Sequence, residues 1–486
     1  MIDNQTTIFD MLYPKYKITK PIRLIEFFGG YGSQALALKY LGIKFEHWKL
    51  VEWAVKSIQA YKDIHMTNEN EDYSDFIPKE SLIEILFNLG ISQNYNEPMK
   101  KEQIARLNEK QLRTIYNNIY VTNNLVNIQQ VNGKDLDIKD TDKYDYILTY
   151  SFPCQDLSLA GKGKGMSDTT TRSGLLWEVE RILTECKEKP QILLMENVPM
   201  VHSEDNLEDF NKWKFRLEEL GYKNYFQDLI ATDYGIPQTR NRCFMISLLG
   251  DYSYTFPKPI PLRSKLKDML EDNVDEKYFL SDKMLDYCCG VNQKQSKFPR
   301  GERFMQSLKQ TNEENIATTI TTNAGNRPTD NFIKIRNANS KGYLEAYEGD
   351  GVDISTRMEY HRGTVQKGKS QTLTTMGGNN QGVCVKPKVL GGIGEKKSNG
   401  GTQWYQQDRI YDDNVSISVT KECNPFYKTD LRIRKLTPKE CFRLMGVKDE
   451  DYERCAKNQS DSSLYHLAGD SIVVNVLMAI FKELLW

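Results

Sequence analysis

Short apolar runs recur along the first half of the chain, and each breaks off at a turn signal. Ile22-Arg-Leu-Ile-Glu-Phe-Phe28 predicts a strand, Gly29-Gly-Tyr-Gly32 a tight turn, and Ser33 to Leu41 an amphipathic helix stopped at Gly42. Trp48 to Trp53 predicts a second strand, so residues 22–64 read as the start of a βαβ unit. Residues 66–130 are polar and rich in Asn, Lys and Glu, with helical patches at Ser81 to Leu89 and Glu102 to Tyr120; a helical insertion is expected there. Strand and helix patterns resume at Tyr144 to Thr149, Gly174 to Cys186, Gln191 to Met195, Trp213 to Leu220 and Cys243 to Leu248. This alternation predicts a parallel α/β sheet.

After about residue 250 the pattern changes. Pro257, Pro259 and Pro261 are followed by short strand-like runs among Gly, Asn and Thr turns, which predicts a separate, largely irregular domain over 251–436. An echo runs through it: 317–326, 370–379 and, more weakly, 416–420 share a Thr-rich wording that a duplication or chance would both produce. Helical spacing returns at Thr437 to Met445 and Ser471 to Leu485. The expected layout is a first domain over 1–250, with its helical insertion at 66–130, completed by 437–486, and a second domain inserted in it.

Composition adds bounds. Apolar content of 39% and charged content of 27% are those of a globular protein. No apolar run is read as reaching the length of a membrane span, and Met1-Ile-Asp-Asn-Gln-Thr-Thr7 lacks the basic and apolar regions of a signal peptide. Nine scattered cysteines, with no CxxC pair, predict a reduced, intracellular protein with no metal site. The net charge of −1 speaks against a nucleic-acid partner, but its distribution speaks for one. Residues 251–436 carry 29 Lys/Arg against 23 Asp/Glu. Residues 361–410 hold 8 basic and 2 acidic residues together with 10 of the 31 glycines. A phosphate-contacting surface and a solvated linker both fit that pattern.

The candidate chemistry sits where predicted strands end. The run Tyr144-Asp-Tyr-Ile-Leu-Thr-Tyr150 stops at Ser151-Phe-Pro-Cys-Gln155, leaving Cys154 on a loop at a strand's carboxyl end, where ligands gather in open parallel sheets. A thiol there can be polarised toward the nucleophilic thiolate; a buried structural cysteine is the plainer alternative. Gly29-Gly-Tyr-Gly32 between strand and helix is a nucleotide-type loop, and Glu52, 20 residues past Gly32, can hold both ribose hydroxyls. Asp135 is placed to meet an adenine amino group, or is an ordinary loop Asp. Ile192-Leu-Leu-Met-Glu-Asn-Val198 puts Glu196 at the same edge as Cys154, where a desolvated carboxyl can donate a proton; a helix-capping pair is the alternative. Arg240 and Arg242 alternate with their neighbours before a strand, so both guanidinium groups are expected on one face, suited to an anionic intermediate or to a surface charge pair.

Taken together these motifs resemble those of the DNA cytosine-5 methyltransferases, in order and in spacing. Phe28 to Ser33 resembles that family's cofactor loop, Pro153-Cys-Gln155 its nucleophile, Glu196-Asn-Val198 its base-recognition pair and Gln238-x-Arg240-x-Arg242 its arginine motif. Residues 172–181, 434–446 and Gly469-Asp-Ser-Ile472 are similar to further family segments. The resemblance covers roughly residues 20–64, 131–250 and 432–486. Two departures stand out: Asp470 where the family usually has Asn, and Ser33 where it has a third Gly. The helical insertion and the wording around Val51-Glu-Trp-Ala54 resemble mollicute-type bacterial members more than vertebrate ones.

The resemblance implies a Rossmann-like, S-adenosylmethionine-dependent α/β methyltransferase domain carrying an inserted target recognition domain. Cys154 would attack C6 of a flipped-out cytosine, Glu196 would hold its N3 and amino group, and Arg240 and Arg242 would steady the ring. S-adenosylmethionine would meet Phe28, Gly29, Gly30, Tyr31, Gly32, Ser33, Glu52, Trp53, Asp135, Leu136, Pro153, Leu175, Asp470, Ser471 and Ile472. Gln155, Asn197 and Gln238 would face the base or the DNA. The implied partner is double-stranded DNA, with no membrane and no metal, acting as a monomer in the cytoplasm of a bacterial cell, whether host- or phage-encoded. A cognate restriction endonuclease would be a functional rather than a physical partner. Three rivals remain open here. They are a tRNA methyltransferase on the same scaffold, a nicotinamide-dependent dehydrogenase, which leaves Cys154 and the arginines without a task, and a catalytically silent DNA-binding regulator.

Overall fold

The computed structural model describes residues 13–69, 71–153, 173–238, 240–278 and 432–486, together with short segments at 351–353, 365–368, 381–385, 389–392 and 409–411. Cys154, Gln155 and the three Thr-rich segments lie outside the described residues. The chain divides into two compact units, Met1–Arg263 with Phe442–Trp486, and Ser264–Cys441.

The first unit is organised by a sheet of β1 Ile22–Phe27, β2 Phe45–Val51, β3 Asp145–Tyr150, β4 Ile192–Asn197, β5 Tyr222–Ile230 and β6 Asn241–Leu249. Their order across the sheet is β2-β1-β3-β4-β6-β5. β1 to β4 run parallel. β1, β3 and β4 are buried along their whole length, as expected of strands covered on both faces. β6 corrects the all-parallel expectation, since it runs antiparallel to both β4 and β5. Only residues 231–240 join β5 to β6, with one 3-10 turn at Ala231–Tyr234, too little chain for a crossover helix. β5 was absent from the sequence-based reading. Its sequence mixes polar and aromatic residues, and its middle residues 226–228 are exposed at the sheet's edge.

The helices of this unit are α1 Ser33–Tyr40, α2 Val55–His65, α3 Lys79–Leu89, α4 Lys101–Ala105, α5 Glu109–Val121, α6 Leu176–Glu185 and α7 Leu207–Glu219. The chain ends in α8 Pro438–Leu444, which crosses the unit boundary, α9 Asp449–Ala456, α10 Asp461–Asp470 and α11 Val474–Leu485. α6 and α7 bring Leu176, Val179, Ile182, Phe210, Trp213 and Leu217 into one core with Phe27, Leu148, Tyr150 and Met195. α1 is not amphipathic: Ser33 to Leu38 are all buried, because α11 lies against the side turned away from the sheet. Ile18 N–H also donates to Leu484 O at 2.8 Å. The C-terminal segment therefore finishes a core begun some 450 residues earlier.

The insertion has a core of its own. Leu82, Leu86, Ile104, Leu112, Ile115 and Ile119 close on Ile58 of α2. Asn108 and Gln111 cap α5 reciprocally: Gln111 N–H donates to Asn108 Oδ1 at 2.9 Å and Asn108 N–H to Gln111 Oε1 at 3.0 Å. By length and composition the 25 residues Asp461–Leu485 could cross a membrane, contrary to the sequence expectation. They form α10 and α11 instead, and 67% of their most apolar window is buried inside the protein.

The second unit contains, among its described residues, an antiparallel sheet in the order β12-β9-β7-β8 and a β10–β11 pair. These strands are β7 Gly351–Asp353, β8 Val365–Gln366, β9 Gln381–Val385, β10 Val389–Gly392, β11 Arg409–Tyr411 and β12 Arg432–Lys435.

Candidate active site

The four parallel strands end along one edge of the sheet, at Phe27, Val51, Tyr150 and Asn197, and most of the anticipated residues follow directly. After β1 the backbone turns sharply. Phe28 takes φ 55° and its N–H still donates to Val51 O at 2.8 Å. The glycines then serve different ends. A Cβ on Gly29 would lie 2.5 Å from Leu50 Cδ1, and one on Gly32 (φ 81°) 2.4 Å from His65 Nε2. A Cβ on Gly30 (φ 54°) would meet nothing within 4 Å, so there the loop is open. Tyr31 and Ser33 are buried beneath it.

Glu52 sits just past β2 with its carboxylate turned onto this loop. Oε2 accepts from Gly30 N–H at 3.0 Å and Oε1 from Ala54 N–H at 2.8 Å. Burial pushes its pKa up to about 7 despite these bonds, and the neighbouring Asp470 adds to the rise. Asn124, at the end of the insertion, clamps the Glu52 backbone: Glu52 N–H donates to its Oδ1 at 3.1 Å and its Nδ2 to Glu52 O at 2.9 Å. Trp53 packs against the insertion's core. Asp135 uses Oδ2 to accept from Asn132 N–H at 2.8 Å, and Leu136 is a core residue whose carbonyl accepts from Trp48 Nε1 at 2.8 Å. Leu175, partly buried, sits where α6 begins. At the opposite side of the loop Asp470 is exposed and pairs with His466 at 2.9 Å, while Ser471 and Ile472 are buried.

A polar frame behind the loop escaped the sequence reading. Glu26, fully buried in β1, accepts from Ala35 N–H at 3.3 Å and from the Tyr61 hydroxyl at 2.6 Å. Burial lifts its pKa to about 7. The same hydroxyl meets His47 Nδ1 at 2.7 Å, and His65 Nε2 donates to Tyr31 O at 2.9 Å. Burial lowers the two histidines to about 4 and about 3, so both are neutral near pH 7. Since Tyr61 gives its proton to Glu26 and a carbonyl can only accept, His47 carries its hydrogen on Nδ1 and His65 on Nε2. The one signal in the sequence was a glutamate inside an apolar strand.

The second half of the edge is built by β3, β4 and β6. Pro153 ends the described part of the β3 loop, immediately before Cys154. Asn197 joins the β3 and β4 loops: its Nδ2 donates to Phe152 O at 2.9 Å, and its Oδ1 accepts from Val198 N–H at 2.8 Å. Glu196 is buried, and its Oε1 lies 3.1 Å from Arg242 Nε. Burial raises the Glu196 pKa, opposed by Arg242 and Arg240. Both guanidinium groups act on Glu196, but they are held differently. Arg242 remains partly accessible on β6. Arg240 is buried just before that strand, and its Nη2 donates to Ser471 O at 2.7 Å and Gly469 O at 3.1 Å. Burial and Arg242 lower the Arg240 pKa to about 9. Gln238 is wholly buried, its Nε2 donating to Leu444 O at 2.7 Å. Asn197 and Gln238 therefore brace loops from within, where contact with a base or with DNA had been expected.

The β5–β6 pairing sets Asp228 opposite Cys243. With His202 their ligand atoms lie within 4.8 Å of one another, an arrangement invisible in the sequence. His202 Nε2 and Asp228 Oδ1 are 2.9 Å apart.

A Rossmann-like sheet with a glycine loop and a buried acid–arginine pair at its carboxyl edge defines a methyltransferase-type α/β protein. Residues 87–486 match the family model for the C-5 cytosine-specific DNA methylases, and the chain belongs to that family: it is a DNA cytosine-5 methyltransferase. Among curated relatives, the orphan methyltransferase M.SssI of Spiroplasma monobiae is 40% identical over 267 residues, covering 54% of this chain and 68% of its own. The type II methyltransferase M2.ScrFI of Lactococcus lactis subsp. cremoris is 28% identical over 470 residues, covering 95% and 99%. The orphan methyltransferase M.SPRI of Bacillus phage SPR is 26% identical over 412 residues, covering 74% and 87%.

Proposed function

We propose that the protein transfers a methyl group from S-adenosylmethionine to C5 of a cytosine flipped out of a specific duplex sequence, through a transient bond between Cys154 and C6. The observation that carries this reading is the pairing of buried Glu196 with Arg242, at the end of the strand next to the one whose loop holds Pro153. Cytosine C5 is a poor nucleophile until a thiolate adds at C6, and negative charge then spreads over the ring; once C5 carries the methyl group, loss of its proton to a base expels the thiolate from C6 and restores the free enzyme. Glu196, its pKa raised, is suited to share a proton with N3, and Arg242 to balance the charge beside it. Arg240 would act by positioning, through the 469–471 segment. A stacked base cannot reach such groups, so the target must be extruded, at a cost of a few kcal/mol. The second unit, with the basic, glycine-rich 361–410, would serve as the target recognition domain that offsets it.

The donor set fits S-adenosylmethionine. Glu52 offers a buried carboxylate to two hydroxyls, Gly30 leaves open space, and Asp470 lies near Glu52. When bound, that cofactor supplies an electrophilic methyl group. Asp135, Leu175 and Pro153 would line the rest, and Gln155 would lie by the base. We place the protein in the bacterial cytoplasm, in a restriction-modification or orphan setting, as a monomer acting on double-stranded DNA.

The test is a duplex carrying 5-fluorocytosine at the methylated position, found beforehand by methylome sequencing. The wild-type enzyme with donor is expected to form a denaturation-resistant adduct, and Cys154→Ala to bind DNA without forming it. An adduct that persists in Cys154→Ala would overturn the assigned nucleophile, and methylation of tRNA in place of duplex DNA would overturn the substrate.

A further inference from the structure

The insertion sends one residue into the neighbourhood of Glu52. The loop 92–97 between α3 and α4 is stitched to the end of β2: Ser92 N–H donates to Trp53 O at 2.7 Å, and Val55 N–H to Ser92 O at 2.9 Å. Asn94 Oδ1 folds the loop tightly by accepting from Asn96 N–H at 2.9 Å and Glu97 N–H at 3.2 Å. Ser92 Oγ closes it by donating to Glu97 O at 2.7 Å. Within this frame Tyr95 adopts φ 62°, a conformation that costs an aromatic residue about 1 kcal/mol or more and persists only where its surroundings impose it. Its ring packs on His466, centroids 3.9 Å apart, and His466 in turn pairs with Asp470.

The Tyr95 hydroxyl is shielded from solvent and has no hydrogen-bond partner among the described residues. Burial above all, and then the carboxylates of Glu52 and Asp470, disfavour its ionisation, while the Ser57 side chain stands within reach of it without a well-formed hydrogen bond. A buried hydroxyl without a well-formed bond among the described residues is costly to maintain and gains from a polar partner such as a bound ligand. It stands with the two carboxylates already assigned to the methyl donor, although it comes from a segment that has no part in the sheet.

We propose that Tyr95 is a donor-binding residue: its hydroxyl completes the polar side of the S-adenosylmethionine site beside Glu52 and Asp470, with His466 fixing the ring. The insertion thereby acts as one wall of the cofactor cleft. This rests on the S-adenosylmethionine reading given above.

Tyr95→Phe separates the possibilities, because it keeps the ring on His466 and deletes only the hydroxyl. Binding of S-adenosylmethionine and S-adenosylhomocysteine to the full-length chain would be measured by isothermal titration calorimetry, with the Tm of the donor-free protein recorded alongside. The expected result is a five- to tenfold weaker affinity for both ligands, with a Tm equal to or above that of wild type. Equal affinity in variant and wild type would overturn the proposal. So would a lowered Tm with affinity retained, which would mean that the hydroxyl serves the fold. Failure of the wild type to bind either ligand would instead defeat the cofactor reading on which this rests.

Discussion

Glu196 Oε1 and Arg242 Nε lie 3.1 Å apart across the β4–β6 pairing, with the carboxylate buried and the guanidinium partly accessible. The pair holds a buried acid and its counter-charge at one strand edge. Taking one partner away leaves the other as an uncompensated charge in a desolvated place.

That sets the first prediction. Arg242→Ala is expected to slow methyl transfer by roughly 10²–10³ and to destabilise the fold by about 2–3 kcal/mol, since Glu196 is left buried and unpaired. Adding Glu196→Gln to it should restore part of the stability and none of the activity. Urea denaturation of the two single variants and the double variant measures the coupling; additive losses would show that the contact contributes nothing.

Glu52 predicts a pH dependence. Its carboxyl is pushed to about 7, so it must lose a proton before it can accept two hydroxyls. Affinity for the donor should rise between pH 6 and pH 8, by at most about tenfold per unit below the pKa, and level off above it. The fold responds in the opposite sense. For an acid whose folded pKa is raised, the stabilising contribution is complete below the unfolded value of 4.5 and is lost as pH rises through about 7. Glu52→Gln should flatten the binding curve and lessen that loss; calorimetric titration across pH checks both.

The glycine loop offers an internal control. Gly32→Ala would force a Cβ to within 2.4 Å of His65 Nε2 and 2.7 Å of Tyr61 Cε2 at a positive φ, and should cost about 3 kcal/mol. Gly30→Ala has the positive φ but open space, and should cost only about 1 kcal/mol while weakening donor binding. Thermal melts with and without donor distinguish the two.

Arg240 should behave as a brace. Arg240→Lys keeps a charge, but its differently shaped ammonium end does not reproduce the position from which Nη2 donates to both Gly469 O and Ser471 O. A loss of about 1–3 kcal/mol in stability, with a rise in the KM for the donor larger than the fall in kcat, is the expected signature. A fall in kcat alone would assign Arg240 to the reacting base instead.

The segments that carry the candidate residues could be located beforehand because most of them follow strands, and most strands announce themselves locally. Alternation of apolar runs with turn residues placed Gly29 to Gly32, Glu52 and the loop after Tyr150 at strand ends and set Glu196 at the same edge as Cys154, while Phe28, Ser33 and Pro153 were singled out by the family resemblance. Position relative to a strand is not the same as what a side chain touches, however. Asn197, Gln238 and Arg240 sat in the expected stretches, yet their amides and guanidinium turn toward carbonyls at Phe152, Leu444, Gly469 and Ser471. Three of those four partners lie more than 200 residues away in the chain. No local pattern encodes such a partner.

The chain's own wording thus located β1 to β4 and β6 to within a few residues, and the loops that follow β1 to β4, since those depend on neighbours a few residues away; the mixed sequence of β5 gave no such signal. The tertiary structure alone decided the reversed direction of β6, the burial of both sides of α1, the frame around Glu26 and the arrival of Tyr95 beside Glu52. Each of these depends on segments that meet only after the chain has closed on itself, through loop length in the first case and long-range packing in the others.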